Sequence, residues 1–385
     1  MSRLVLRGRV VTPEAVLSDA VVIVDGDRIT HVGAVHAWAG DPGESLGTLL
    51  PGLVDVHDHG GGGHAFTTTD THEAMAAARH HHRHGTTTVT ASLVTAPSAT
   101  LIDQVATLAP LVDQGVLAGI HLEGPFLSRA RCGAQDPAHL RLPDPDLTRR
   151  LLETGGATIV QATLAPELPG YAEVAALLRD AGVVVALGHS DASHEVFAAE
   201  LSRLQGGGLI THLGNGMPPL HHRAAGPVAA SLSAASRGEA VVELIADGVH
   251  TDAGFIALVF ATAAPGSVVL VTDAMEAAGM SDGSYVLGPQ EVSVVDGVAR
   301  LEEPDAAAGS IAGGTAHLVE VVATAVREAG VPLVDAVRAA SHSPARVLGL
   351  DADRGALQPG LVADVLVVDE ALALRRVMRA GNWLE

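Results

Sequence analysis

Residues 116–127 read VLAGIHLEGPFL. The stretch VLAGIHL is an apolar run of strand length, and Glu123 closes it before a Gly-Pro turn. A carboxylate at the end of a buried strand is costly unless something positive meets it. Lysine cannot be that partner, because all 23 residues in the Lys+Arg count are arginines. The same absence removes Schiff-base and P-loop lysine chemistry.

Working outward, the texture repeats. Apolar strand candidates stand at 53–56, 86–92, 116–122, 158–164, 183–187, 209–213, 241–246 and 268–272. Between them lie segments such as THEAMAAARHHHRH (71–84) and YAEVAALLRDAG (171–182), with helical periodicity and a glycine stop. Near-continuous apolar strands with helical crossovers indicate a parallel sheet covered on both faces. Eight of them is the closure number of an α/β (β/α)8 barrel. The first fifty residues read as β, with an Asp-Gly hairpin in VVIVDGDRITHVG. A β stretch returns at RGALQPGLVADVLVVDE (354–370). The expected organisation pairs residues 1–50 with 352–385 in a small β-sandwich domain and gives 51–351 to the catalytic barrel. Residues 285–303 read as an inserted hairpin after the eighth strand.

Composition narrows the class. The chain has 385 residues, 48% of them hydrophobic, so it can bury a large core. Aromatics are only 2%, so that core must be built from Ala, Val, Leu and Ile. A formal net charge of −21 argues against nucleic acid and anionic membrane surfaces as partners. An anionic substrate would have to be met by local positive groups. The single cysteine, Cys132, permits no intrachain disulfide, and no apolar run is long enough to span a bilayer. MSRLVLRGRVVTP lacks a signal-peptide core. The expectation is a soluble cytoplasmic protein. The run His80, His81, His82 and His84 reads as a solvated helix C-terminus, where histidine suits the dipole. Neighbouring residues on a helix point in different directions, which disfavours a metal there.

Barrel enzymes place their chemistry at the C-terminal strand ends. There this sequence sets His57 and His59, Glu123, His189, His212, His250 and Asp273. Residues two apart on a strand share a face, so His57 and His59 can grip one ion. The glycines at 60–63 allow a tight turn at a crowded mouth. A metal would also compensate Glu123.

The strings LPGLVDVHDHG, HLEGPFLSRARCGAQDPAHL, GHSDAS, THLGNGMPPL, ADGVH, LVTDAM and SPARVLGL follow one another in order. Together they resemble the N-acetylglucosamine-6-phosphate deacetylase family of the amidohydrolase superfamily. The resemblance covers nearly the whole chain. It implies a metal-dependent (β/α)8 barrel with a small β-sandwich from both termini, a homodimer, and deacetylation of a phosphorylated N-acetyl amino sugar. It makes Glu123, His189 and His212 the main metal site, with His57 and His59 holding a second ion, so one or two divalent ions (Zn, Fe, Mn or Co) are expected. Binuclear relatives commonly bridge their metals with a carboxylated lysine. In a chain without lysine, an acidic side chain such as Glu123 must do so. Asp273 matches the catalytic acid/base. Substrate contacts are implied for Ala134, Gln135, Asn215, Gly216, Arg223, Asp247 to His250, Ala308, Gly309 and Ser310. Arg223 and His250 are expected to reach the phosphate on a neighbouring protomer. Gln135 stands where many relatives have histidine. Other readings are a different metal amidohydrolase, such as an N-acyl amino acid deacylase, and a sugar-phosphate-binding protein without catalysis. Phosphate-binding residues and intact metal ligands, respectively, argue against these.

Overall fold

A computed structural model describes residues 3–204, 207–302 and 309–385. Eight parallel strands form one sheet: β1 (Leu53–Asp58), β2 (Thr86–Leu93), β3 (Gly119–Glu123), β4 (Ile159–Leu164), β5 (Val184–Leu187), β6 (Gly208–Ile210), β7 (Ala240–Leu244) and β8 (Val268–Leu270). Each is followed in sequence by a helix: α1 (Thr71–Arg83), α2 (Ser98–Asp113), α3 (Pro145–Gly155), α4 (Tyr171–Asp180), α5 (His194–Arg203), α6 (Gly226–Ser236), α7 (Ala253–Thr262) and α8 (Leu318–Arg327). Short polar residues start several of them. Asp70, Asp144, Ser193 and Asp252 each accept a backbone N–H of the first turn. The strands are almost wholly buried, which is why they read as continuous apolar runs. The core is built of Ala, Val, Leu and Ile, with few large aromatics such as Phe66 and Phe197. Burying one such large side chain contributes roughly 1.5–3 kcal/mol.

Neighbouring strands pair in order from β1 to β8. The seam between β8 and β1 closes at their C-terminal ends. Asp273 N–H donates to His57 O at 2.9 Å, and His59 N–H donates to Ala274 O at 2.7 Å. Thr272 adds its hydroxyl, 2.7 Å from Asp55 Oδ2, and its N–H, 3.2 Å from the same atom. The residues that shut the barrel are thus neighbours of those expected to do its chemistry.

Both termini meet in a seven-stranded sheet. Leu4–Val11, Val16–Asp25, Arg28–Ala34 and Ser45–Pro51 join Val365–Val368, Leu374–Arg379 and Asn382–Trp383. Val365–Val368 runs antiparallel to Ser45–Pro51, knitting the two ends together around a core that includes Val22, Leu49 and Val365. The insertion after β8 holds the expected hairpin and a further strand: Gly283–Leu287, Gln290–Val295 and Val298–Leu301.

The histidine run departs from expectation. His81 and His82 are buried, not solvated. They continue the inward face of α1 set by Ala74, Ala77 and Ala78. Burial pushes both imidazoles down to about 3, so each is neutral. His81 Nε2 donates to Gly60 O at 3.0 Å and so holds the glycine turn after β1.

Candidate metal centre

β1 presents His57 with His59 just beyond its end, β3 ends on Glu123, and the turns after β5, β6 and β8 present His189, His212 and Asp273. These six side chains converge. Glu123 Oε1 lies 2.9 Å from His212 Nε2, 3.0 Å from His189 Nε2 and 3.5 Å from His57 Nε2. Its Oε2 lies 3.2 Å from His59 Nε2. Asp273 Oδ1 is 3.4 Å from His57 Nε2 and 3.2 Å from His59 Nε2. Imidazoles, and no arginine, surround the glutamate whose burial raised the question.

Three of the four ring nitrogens facing away from the cluster are anchored; among the described residues, that of His212 is buried without a hydrogen-bond partner. His59 Nδ1 donates to Ser92 O at 3.0 Å, and His189 Nδ1 to Arg131 O at 2.8 Å. Backbone carbonyls only accept, so these rings carry Nδ1–H. In the neutral form they turn an Nε2 lone pair inward. His57 Nδ1 is 3.0 Å from Glu243 Oε2. Yet His57 and His59 bring their Nε2 atoms to 3.2 Å, and His189 and His212 to 3.1 Å. Lone pairs and carboxylates packed this closely require positive charge among them. Protons are one source. Burial alone would lower His59, but Asp273 and Glu123 beside it raise it to about 9. Burial would likewise raise Glu123 and Asp273, but the charge on His57 and the histidine hydrogen bonds hold both below the usual carboxylate range. A divalent cation is the other source. The donor set fits one: two groups, Glu123–His189–His212 and His57–His59–Glu123, each bring their ligand atoms within 4.8 Å of one another.

Backbone strain marks the same places. His189, His212 and Asp273 have φ of 45°, 27° and 48°, a region that non-glycine residues seldom enter. Gly216, at φ 59°, allows the next turn to approach. A β-carbon there would sit 2.9 Å from His189 Nδ1.

The cluster floors a cavity of about 270 Å³ whose wall includes Ala134, Gln135, Asn215, Gly216, His250 and Ser310. Gln135 Oε1 accepts Thr95 N–H at 2.7 Å, and its Nε2 donates to Glu123 Oε2 at 2.6 Å. It therefore holds the glutamate as well as facing the cavity. Asp247 Oδ2 lies 2.7 Å from His250 Nδ1 and fixes that ring in the wall. Gly309 packs against the backbone of Leu301 and leads Ser310 into the wall. Ala308 lies outside the described residues. Arg223 does not join this wall. It is exposed, in a separate depression with Asp191, Glu195 and His222.

The Amidohydrolase family pattern matches residues 48–384. The chain belongs to the amidohydrolase family. It is 34% identical over 367 residues to an N-acetylglucosamine-6-phosphate deacetylase of Lysinibacillus sphaericus, covering 93% of this chain and 91% of that one. It is 31% identical to an N-acetylgalactosamine-6-phosphate deacetylase of Escherichia coli O157:H7, covering 99% of both. Among solved structures, a mutant N-acetyl-D-glucosamine-6-phosphate deacetylase of Mycobacterium smegmatis, in complex with N-acetyl-D-glucosamine-6-phosphate, superposes with a TM-score of 0.93. That match has 41% identity and covers 100% of this chain and 99% of the other.

Within this amidohydrolase centre, sequence reasoning missed a supporting layer. Glu243, on β7, is fully buried. Besides the His57 contact, its Oε1 accepts Gln161 Nε2–H at 2.8 Å and its Oε2 accepts His212 N–H at 3.2 Å. One carboxyl group thus orients two of the clustered histidines. The signal was present, since a glutamate inside the apolar run VVELIA faces the same burial cost as Glu123. His121 was missed too. Held by Ser92 and Thr163, its ring packs edge-on to His57 with centroids 4.6 Å apart. Groups that orient metal-binding histidines commonly tune affinity 10–100-fold. Glu243→Gln is therefore expected to weaken metal retention by about that factor, measured by competition with a chromophoric chelator. Wild-type retention would show that His57 and His212 do not depend on it.

Proposed function

We propose that this cavity hydrolyses the acetamide of N-acetyl-D-glucosamine 6-phosphate, giving D-glucosamine 6-phosphate and acetate. The observation that carries the reading is Asp273, whose Oδ1 sits 3.2–3.4 Å from two imidazoles of the cluster and lines the same cavity. The family match and the deacetylase relatives support it.

Glu123, His189 and His212 would hold the main divalent ion, and His57 and His59 a second. Imidazole and carboxylate donors suit zinc, iron, manganese and cobalt. Such an ion would supply Lewis acidity, lowering the pKa of a bound water toward ~7 and polarising an amide carbonyl. The protein supplies the proton traffic. Asp273, kept deprotonated by its histidine neighbours despite burial, accepts the proton of the attacking water. It then gives that proton to the amine nitrogen, which leaves poorly without one. Gln135 keeps Glu123 in place and has a second amide proton for the acyl end. Ala134, Asn215, Gly216 and Ser310 wall the sugar. His250, aimed by Asp247, and Arg223, brought by a neighbouring protomer, would meet the phosphate. The guanidinium fork matches that group. We place the enzyme in the cytoplasm as a homodimer, a reading supported by the lone cysteine and by Arg223 standing outside its own chain's cavity.

Two outcomes test this. Asp273→Asn is expected to keep its metal yet lose acetate release by about 10²–10⁴-fold, the usual weight of a positioned acid/base. Near-normal turnover would remove Asp273 from the chemistry. Arg223→Ala is expected to raise KM for the phosphorylated sugar far more than for N-acetylglucosamine itself, in parallel steady-state assays. Equal effects on both would take Arg223 away from the phosphate.

A further inference from the structure

A second histidine cluster lies at the outer side of the barrel seam, apart from the centre described above. His80 in the last turn of α1 and His84 at its C-cap lie on one side, and His317 at the N-cap of α8 comes to meet them. One ring nitrogen of each lies within 4.8 Å of the other two. The Nε2 atoms of His80 and His317 are 3.0 Å apart. The rings of His84 and His317 stack, 4.0 Å between centroids and 11° between planes.

The surroundings fix these rings and leave room between them. His84 Nδ1 donates to His80 O at 2.8 Å, which turns its Nε2 outward from the helix backbone. His317 Nδ1 faces Glu320 Oε2 at 3.3 Å, and the same oxygen accepts His317 N–H at 2.8 Å. A carboxylate behind an imidazole is the arrangement that orients metal-binding histidines. Gly279 leaves space next to the converging nitrogens: a β-carbon there would lie 2.8 Å from His317 Nε2 and 2.9 Å from His80 Nε2. His84, His317 and Glu320 border a cavity of about 460 Å³, which gives an ion a way in and space for water to complete its coordination.

We propose that His80, His84 and His317 form a separate binding site for a divalent transition-metal ion, which ties α1 to α8. Three imidazoles and no thiolate suit Zn²⁺, Ni²⁺ or Cu²⁺ rather than Mg²⁺ or Ca²⁺. The ion clamps the first and last of these eight helices across the seam that backbone bonds close at the C-terminal ends of β1 and β8. None of its ligands lines the catalytic cavity, so its role is structural.

Zn²⁺ is the probe. Chelator-stripped protein is dialysed against buffered Zn²⁺ and the ions bound per chain are counted, for wild type, His84→Ala and His317→Gln. The expected result is one ion fewer per chain in each variant, with kcat/KM for acetate release unchanged. His84 is half-exposed at the end of α1, so its truncation spares the core. In a Glu123→Gln background, Zn²⁺ is expected to raise Tm, and His84→Ala to abolish that rise. Equal ion counts in wild type and His84→Ala, or a Tm rise that survives His84→Ala, would overturn the proposal.

Discussion

A glutamate with almost no exposure to water, ringed by four imidazoles, is the constraint on which the centre depends. Glu123 sits at the end of β3 because the barrel delivers every strand terminus to one mouth. Its charge cannot be solvated there and has no arginine to pair with. Its oxygens face four Nε2 atoms, and bonds at the opposite nitrogen turn the rings of His57, His59 and His189. Removing those anchors would free the rings, and removing the glutamate would leave mutually facing lone pairs with nothing to hold them. Positive charge at the middle is thus a requirement of the packing.

The scaffold serves this one point. The β1–β8 seam closes through the backbone of His57, His59, Asp273 and Ala274, so barrel closure and the placing of the Asp273 carboxylate are one event. Positive φ at His189, His212 and Asp273 is costly, of order 1–3 kcal/mol each. It persists because neighbouring strands hold the residues on both sides. Glu243 and His121 form a buried polar layer beside the cluster, in which Glu243 bonds His57, His212 and Gln161 while Ser92 and Thr163 hold His121 against the His57 ring. Such a layer stabilises only while its partners are satisfied, which makes the centre stiff as well as polar.

Much of this was legible in the sequence. Fully buried parallel strands leave long runs of β-branched residues, and all eight stand close to where those runs lie. The convergence of Glu123 with His57, His59, His189 and His212 was legible because barrel geometry sends whatever follows each strand to the same place. Other features were not. His81 and His82 repeat the spacing of Ala74 and Ala78, yet polar identity suggested a wet surface. Two histidines four apart were masked by the adjacent ones between them, and His317 lies more than 200 residues away, so no local pattern joins it to α1. Glu243 sat in plain view within an apolar run, but no motif flanked it. Histidine and aspartate enter the left-handed region more readily than most residues, but too seldom for the three key turns to be read from their identity.

The most direct measurement is anomalous diffraction at a transition-metal absorption edge, from crystals grown with that metal. The account predicts a peak at bonding distance, about 2.0–2.2 Å, from Glu123, His189 and His212. An ordered water there instead, with no anomalous signal at the mouth of the barrel, would contradict it.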